Sequence, residues 1–203
     1  MIHALSRQVR NAGLLLLALL TCAAAVPRNE PASAGETPEA ITRRWPPRSR
    51  AAASLMIEKY GAPDQYDRDT LVWFNNGEWK RTIVYRRRLH NDPAVTRSDF
   101  LEQTIGYLVP NDKVAELKRF NPKLTVSQAA GELTFASDSE AKNRLALNLA
   151  DEIVTGGRTA ADARAFYLKT SRLSAAGKSS SYLDELRFEV DNVRFMTPGG
   201  EDQ

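Results

Sequence analysis

Cysteine and histidine are almost absent from this sequence of 203 residues. Cys22 is the only cysteine, and His3 and His90 are the two histidines. One cysteine cannot form a disulfide within the chain, so a hydrophobic core must supply the stability of the fold. The same scarcity argues against a cysteine nucleophile, a zinc site of the Cys/His type and covalent attachment of haem. We therefore predict no metal site and no cofactor.

The sequence also lacks the short motifs that mark several enzyme classes. It has no G-x-S-x-G nucleophile elbow, no Walker A loop and no dinucleotide-binding fingerprint. Asp64, Asp67 and Asp69 form a cluster, but without the distal glutamate of an EF-hand they are more typical of a turn. His90 lies in an arginine-rich loop, where a surface position is the simpler interpretation. We assign no catalytic residue, and an enzyme is the less favoured interpretation.

What the sequence does contain begins with a signal for export. Arg7 and Arg10 precede the leucine-rich run of residues 12–20, and small residues follow at 21–25. This order is typical of a bacterial secretion signal. The apolar run is too short to cross about 30 Å of hydrocarbon as a helix. We predict a signal peptide over residues 1–22.

Two cleavage sites remain open. Residues 19–22, with the sequence LLTC, resemble the lipobox of bacterial lipoproteins, although that family usually has Gly, Ala or Ser where this chain has Thr21. Cleavage before Cys22 would leave that cysteine lipidated, and Ala23 in place of an aspartate then implies the outer membrane. Cleavage after Ala25 would instead release a soluble secreted protein. We favour lipidation of Cys22.

Composition divides the remaining chain into a tether, one domain and a tail. Residues 23–47 contain five prolines and almost no large apolar side chains, so they bury too little surface to offset the entropy of ordering. A flexible coil of this length reaches roughly 25 to 30 Å, which suits a spacer behind a membrane anchor. We predict a disordered tether over 23–47, one domain over 48–195 and a disordered tail over 196–203.

Turn signals in the domain predict strands joined as hairpins. The Asn-Asn-Gly sequence at 75–77 is the strongest of these signals, and Ala-Gly at 130–131 is the second. Alternation of apolar side chains places Trp79, Ile83 and Tyr85 on one face of a strand, in the core. The predicted strands are 71–74, 79–85, 101–109, 124–128, 132–136 and an edge strand over 186–190.

Capping residues predict the helices between these strands. Ser137 with Glu140, and Thr159 with Asp162, have the spacing of capping boxes. The predicted helices are 51–60, a short one after Asn111, 141–154 and one opening at Thr159. Because hairpins and helices are mixed without regular βαβ units, we predict an α+β fold in which helices pack on an antiparallel sheet.

Positive charge is concentrated in one part of the chain. Without Arg7 and Arg10, 26 basic residues stand against 25 acidic ones. Residues 43–88, however, contain 11 basic and 5 acidic residues. Such a segment favours anionic lipid or an acidic envelope protein as partner. Nucleic acid would also fit the charge, but export argues against it.

Four arginines of this segment are the predicted partner-binding residues: Arg81, Arg86, Arg87 and Arg88. Arg81 shares the predicted core face of its strand, where a buried guanidinium would need a partner. The alternative is that these arginines keep the surface soluble and pair with acidic side chains of the same domain.

Several motifs together resemble a family of small exported bacterial proteins of uncharacterised activity. They are KYGAPD at 59–64, WFNNGEWKR at 73–81, LEQ at 101–103 and LALNLA at 145–150. Residues 51–85 alone, with a helix ending in Gly-x-Pro-Asp before a tryptophan-bearing hairpin, are similar to the SmpA/OmlA-type lipoproteins of outer-membrane assembly. That second resemblance implies a lipid-anchored partner protein, and the long helices after residue 136 depart from it.

Signal, tether and charge together predict a non-enzymatic protein of the cell envelope. We expect a lipoprotein in the periplasm, anchored to the outer membrane through Cys22, whose domain is an interaction module for another envelope component. The alternative is a hydrolase that acts on cell-wall or polysaccharide substrates through carboxylates that the sequence does not identify.

Overall fold

The computed structural model of the chain describes residues 35–87 and 99–190. The predicted signal, Cys22, Arg88, His90 and the predicted tail lie outside these residues. The helices are α1 (Pro38–Thr42), α2 (Pro47–Tyr60), α3 (Asn111–Phe120), α4 (Glu140–Val154), α5 (Ala160–Ala175) and α6 (Ser181–Asp184). The strands are β1 (Gln65–Tyr66), β2 (Thr70–Asn76), β3 (Trp79–Tyr85), β4 (Leu101–Gly106), β5 (Thr125–Ser127) and β6 (Glu132–Ser137).

The strands form one antiparallel sheet in the order β1-β2-β3-β4-β6-β5. The β2–β3 hairpin turns at Gly77, whose φ of 68° is a conformation that glycine adopts without steric cost. The β5–β6 hairpin lies at the other end of the sheet order. Both hairpins were predicted from their turn residues, and the predicted α+β fold is confirmed. None of the helices in the two described ranges is long and apolar enough to cross a membrane.

One face of the sheet is covered by α2 at its β2–β3 side. Leu71, Val84 and Leu101 are aligned across β2, β3 and β4. They are buried together with Ala53 and Met56 of α2. Burial of each large apolar side chain stabilises the fold by about 1.5 to 3 kcal/mol, so this cluster fixes α2 on the sheet.

The same face continues under α4. Ile105 lies four residues after Leu101 on β4 and is paired with Leu133 of β6. Both are buried against Leu145 and Leu149 of α4. Because side chains two and four apart on a strand share a face, α2 and α4 lie side by side on one face of the sheet.

The predicted alternation along β3 is wrong after its first residue. Trp79, Thr82 and Val84 are buried, whereas Ile83 and Tyr85 are only partly buried. The Trp79 indole donates to the Tyr60 hydroxyl of α2 at 3.2 Å, and Thr82 is bonded by Gln103, which also bonds Glu140 of α4, so Trp79 and Thr82 both face the helices. Residues three apart cannot share a face of a regular strand, so the alternation breaks between Trp79 and Thr82. The core side of β3 is therefore formed by Trp79, Thr82 and Val84, and Ile83 and Tyr85 lie on the opposite face.

The contacts of Lys80 and Arg81, the two residues between Trp79 and Thr82, agree with this break in the alternation. Lys80 and Arg81 are neighbours in sequence, yet both reach Glu132, at 2.9 and 3.6 Å. Arg81 also donates to the Thr104 hydroxyl at 3.3 Å. Arg81 is therefore not a core residue, and its guanidinium has the partner that a partly buried charge requires.

The folded domain begins earlier than the predicted boundary at residue 48. Helix α1 lies within the predicted tether, and Ile41 and Trp45 are buried against α2 and the sheet. The Trp45 indole N–H donates to the Arg68 carbonyl at 2.9 Å. At least the part of the predicted tether from Pro38 onward is ordered, because two large apolar side chains supply the buried surface that the prolines do not.

The predicted edge strand at 186–190 is wrong. This segment follows α6 and is held on α4 instead of joining the sheet. The Asn148 amide donates to the carbonyls of Tyr182 at 3.1 Å and Glu185 at 2.9 Å, and its oxygen accepts the Arg187 backbone N–H at 2.8 Å. The buried Asn148 side chain thus forms hydrogen bonds with backbone groups that, in a strand, would have bonded to a neighbouring strand.

The predicted cap at Thr159 is confirmed. The Thr159 hydroxyl accepts the Asp162 backbone N–H at 3.1 Å at the start of α5 and donates to the Asp162 carboxylate at 2.7 Å. At α4, Ser139 is the capping residue in place of Ser137. Glu140 is then the first residue of the helix, and its carboxylate points into the protein instead of capping the helix.

Candidate functional site

Seven arginines converge at one end of the molecule, which we call the basic end. They come from three separate stretches of the chain. Four surround the start of α2, one lies in the turn between β1 and β2, and two follow β3. They are Arg43, Arg44, Arg48, Arg50, Arg68, Arg86 and Arg87.

Specific hydrogen bonds bring these stretches together. The Ser49 hydroxyl, in the first turn of α2, donates to the Arg86 carbonyl at 3.0 Å. The Trp45 indole fixes the turn that contains Arg68. Arg50 donates to the Arg43 carbonyl at 3.2 Å across the α1–α2 junction. The basic end is therefore a product of the fold, although its members are up to 44 residues apart in sequence.

Acidic side chains neutralise part of this charge. Arg44 forms an ion pair with Glu36, and Arg86 lies 3.3 Å from Asp69. Glu39, Glu58 and Asp67 are the other carboxylates in the same elements and turn, and Glu39 and Glu58 lie beside Arg43 and Arg50. Seven arginines against these five carboxylates leave an excess of two positive charges. Such a local excess attracts anionic surfaces over about one Debye length.

Three of the four predicted partner-binding arginines lie near this end or next to it in sequence. Arg86 and Arg87 belong to the basic end, and Arg88 follows them but lies outside the described residues. Arg81 lies toward the other end of β3 and faces Glu132 and Thr104. The structure thus separates Arg81 from the other predicted residues.

The sheet face around Arg81 contains two further ionisable groups. Burial raises the pKa of the Tyr85 hydroxyl to about 12, with the charge of Glu102 acting in the same direction. Burial also raises the pKa of Glu102, against the opposing charge of Arg81 and a hydrogen bond from Tyr85. Glu102 therefore has Tyr85 as its hydrogen-bond donor and Arg81 as its opposing charge.

A second polar cluster is buried between α2, the sheet and α4. Glu140 is 8 % exposed and pairs with Lys59 and Arg144. It also accepts hydrogen bonds from the Tyr60 hydroxyl at 3.0 Å and the Gln103 amide at 3.3 Å. Burial acts to raise the pKa of Glu140. The hydrogen bond from Lys59 and the charges of Arg144 and Lys59 outweigh this effect, so the pKa of Glu140 is lowered. An ionised carboxylate with four donors has no proton to give, which is unsuited to a general acid.

Polar side chains connect this cluster to the centre of the sheet. Gln103 lies 2.9 Å from the Asn143 amide and 3.4 Å from the Thr82 hydroxyl, and all three are fully buried. The Ser137 hydroxyl donates to the Asn143 oxygen at 2.6 Å. Buried polar groups that satisfy one another specify how elements meet. We interpret the network around Glu140 as the joint between α4 and the sheet.

Of the three aspartates between α2 and β2, Asp67 has the turn role that the sequence favoured, whereas Asp64 bonds strand β2 and Asp69 pairs with Arg86. Asp64 accepts the Phe74 backbone N–H at 2.7 Å. Asp67 accepts the N–H groups of Asp69 at 2.7 Å and Thr70 at 2.6 Å. Within residues 35–87 and 99–190, no group of three or more His, Cys, Asp or Glu side chains could hold a metal ion.

Arg68 was not predicted from the sequence as a member of the basic end. Its proximity to the other arginines depends on Trp45, which lies within the predicted tether. A tryptophan in a stretch otherwise poor in large apolar residues was the signal that this part of the chain packs on the domain.

Comparison of the chain with protein-family models, curated proteins and solved structures gives no match.

Proposed function

We propose that this protein is a non-enzymatic module of the bacterial cell envelope whose basic end docks on the anionic phosphate surface of a membrane. One observation carries the proposal. Glu36, which precedes α1, forms an ion pair with Arg44 at the basic end. The segment that contains Cys22 therefore enters the domain at the same end as the arginines.

The length of this segment suits an anchor. Residues 23–34 separate Cys22 from the first described residue, and a flexible chain of that length spans about 20 Å. Lipidation of Cys22 would hold the domain within about that distance of the bilayer, with its basic end toward the lipid. Anchor and charge then act together, because a single lipid signal gives weaker attachment than two combined signals.

The expected electrostatic contribution is sufficient to orient the domain. A basic side chain near an anionic surface contributes about 1 kcal/mol. Two excess charges at the basic end would therefore favour the docked orientation by about 2 kcal/mol, and by less as salt is added.

Vesicle binding tests the proposal without the lipid anchor. Cys22→Ala prevents lipidation while Ala23, Ala24 and Ala25 remain for ordinary cleavage. In this background we expect the exported protein to sediment with vesicles that contain phosphatidylglycerol and not with neutral phosphatidylcholine vesicles. Reversal of Arg50 and Arg87, both exposed, to glutamate should weaken binding at least tenfold.

The matched control reverses two lysines that line a separate hollow outside the basic end. Lys113 and Lys169 line a hollow near the α4–α5 turn, opposite the end of α4 that lies near Arg48. Lys113→Glu with Lys169→Glu changes the net charge equally and should leave vesicle binding within about twofold. Equal losses of vesicle binding in both double variants would show that net charge alone causes the binding. No preference for the anionic vesicles would point to a protein partner. Either result would reject docking on a lipid surface.

A further inference from the structure

A hollow of about 360 Å³ opens beside the basic end. We call it the α5 hollow, because the second half of α5 forms one wall. The start of α4 and the turn after α3 form the others, and Arg48 links the hollow to the basic end. This volume lies within the range of about 300 to 1,000 Å³ that small-molecule sites occupy.

Four basic and two acidic side chains line the α5 hollow. Asp99 is 3 % exposed and is paired with Lys123, while Asp138 receives two hydrogen bonds from Lys142 at 2.7 and 2.8 Å. Both carboxylates are thus neutralised by lysines. Arg48 and Arg172 also line the hollow, and its four basic and two acidic side chains sum to a formal charge of two positive units.

A hydroxyl in the wall of the hollow also lacks a partner. The Ser171 oxygen is buried and makes no hydrogen bond within the described chain. A buried hydroxyl without a partner is costly. Because a serine side chain has three staggered positions, it can turn toward an occupant of the hollow and donate there.

We propose that the α5 hollow binds a phosphate group. A phosphomonoester carries about −1.5 to −2 charge at neutral pH and presents three acceptor oxygens, which matches the positive charge of the lining, the Arg172 guanidinium and the Ser171 hydroxyl. Arginine is suited to this task because its planar fork of N–H groups binds phosphate oxygens in pairs. The space beyond one phosphate leaves room for a small organic substituent.

This inference rests on the proposed function in one respect. Arg48 belongs both to the basic end and to the α5 hollow, so a lipid headgroup at a docked membrane is one source of the phosphate. A free phosphate ester is the other source. The shared chemistry is the phosphate group, and the experiment separates the two sources.

The test is a titration followed by amide NMR. The exported Cys22→Ala protein is titrated with inorganic phosphate and with glycerol 1-phosphate, against sodium chloride at equal ionic strength. We expect saturable shifts at Lys123, Lys142 and Arg172 with both phosphates and none with chloride. Arg172→Gln should weaken phosphate binding about tenfold, since a charge-assisted contact is lost.

Lys169→Gln is the matched control, because this lysine lies one turn earlier on α5 and lines the other hollow. It should leave phosphate affinity unchanged. Shifts that do not saturate, that chloride reproduces, or that both variants weaken equally would overturn the phosphate site, whatever the vesicle result. Saturable phosphate binding without capture by phosphatidylglycerol vesicles would keep the site, assign it to free phosphate esters and reject the proposed membrane docking.

Discussion

At the scale of single residues, Glu140 is the side chain with the most polar partners that we identify in the described part of the chain. Lys59, Tyr60, Gln103 and Arg144 all donate to it, and they belong to α2, β4 and α4. The sequence could identify the acid but not this role, because its spacing from Ser137 also fits a capping box. Three of the four partners lie more than 30 residues away, beyond the reach of local patterns.

Removal of the Glu140 charge should destabilise the fold. In Glu140→Gln, Lys59 and Arg144 lose the carboxylate they share, and the mostly buried Arg144 keeps only its pair with Glu78. Loss of one partner of a buried ion pair costs about 3 kcal/mol, which urea unfolding can measure. Glu58→Gln, on the exposed side of α2, is the control and should change stability by less than about 0.5 kcal/mol. Equal effects of the two variants would contradict the assigned role.

The same variant should differ from the wild type in its dependence on pH. The pKa of Glu140 is lowered from 4.5 in the folded protein, so the unfolded state binds the proton more readily. The stability from this group is therefore present above about pH 4.5 and is lost as pH falls through the lower, folded pKa. The gap in unfolding free energy between wild type and Glu140→Gln should narrow on acidification below pH 4.5. A constant gap would show that the ion pairs are not its cause.

At the scale of elements, turns and caps were predictable where adjacent residues determine them. The turn at 75–77 and the cap at Thr159 agree with the structure because their hydrogen bonds close within a few residues. The break in β3 and the order at α1 were not predictable in this way. They depend on Glu132 and on the sheet, which only the folded chain brings close.

Asn148 provides a test at this scale, because its side chain bonds three backbone groups between Tyr182 and Arg187. Asn148→Ala removes two donated hydrogen bonds and one accepted bond. We expect a loss of about 2 kcal/mol in the free energy of unfolding and faster hydrogen exchange of the Arg187 amide. Asn111→Ala, at the exposed start of α3, should change neither quantity. Unchanged exchange at Arg187 in Asn148→Ala would mean that other contacts hold this segment.

At the scale of the whole molecule, the sequence shows an arginine-rich stretch but not its shape. The count of basic and acidic residues over 43–88 identifies an excess of positive charge. The fold divides these basic residues between the basic end and the sheet face around Arg81. Three other parts of the chain supply Lys123, Lys142 and Arg172, which come close to Arg48 only in the folded protein. The α5 hollow therefore could not be predicted from the linear distribution of charge.

The orientation of the domain on a membrane tests the central claim most directly. Cys22→Ala removes the only thiol, so a single fluorescent label can be placed at Glu39→Cys or at Ala115→Cys. Glu39 lies beside Arg43 and Arg50 at the basic end, and Ala115 is exposed on α3. With vesicles containing phosphatidylglycerol, we predict that lipid-borne quenchers quench the label at residue 39 and leave the label at residue 115 unaffected. Equal quenching at both positions, or stronger quenching at residue 115, would contradict docking through the basic end.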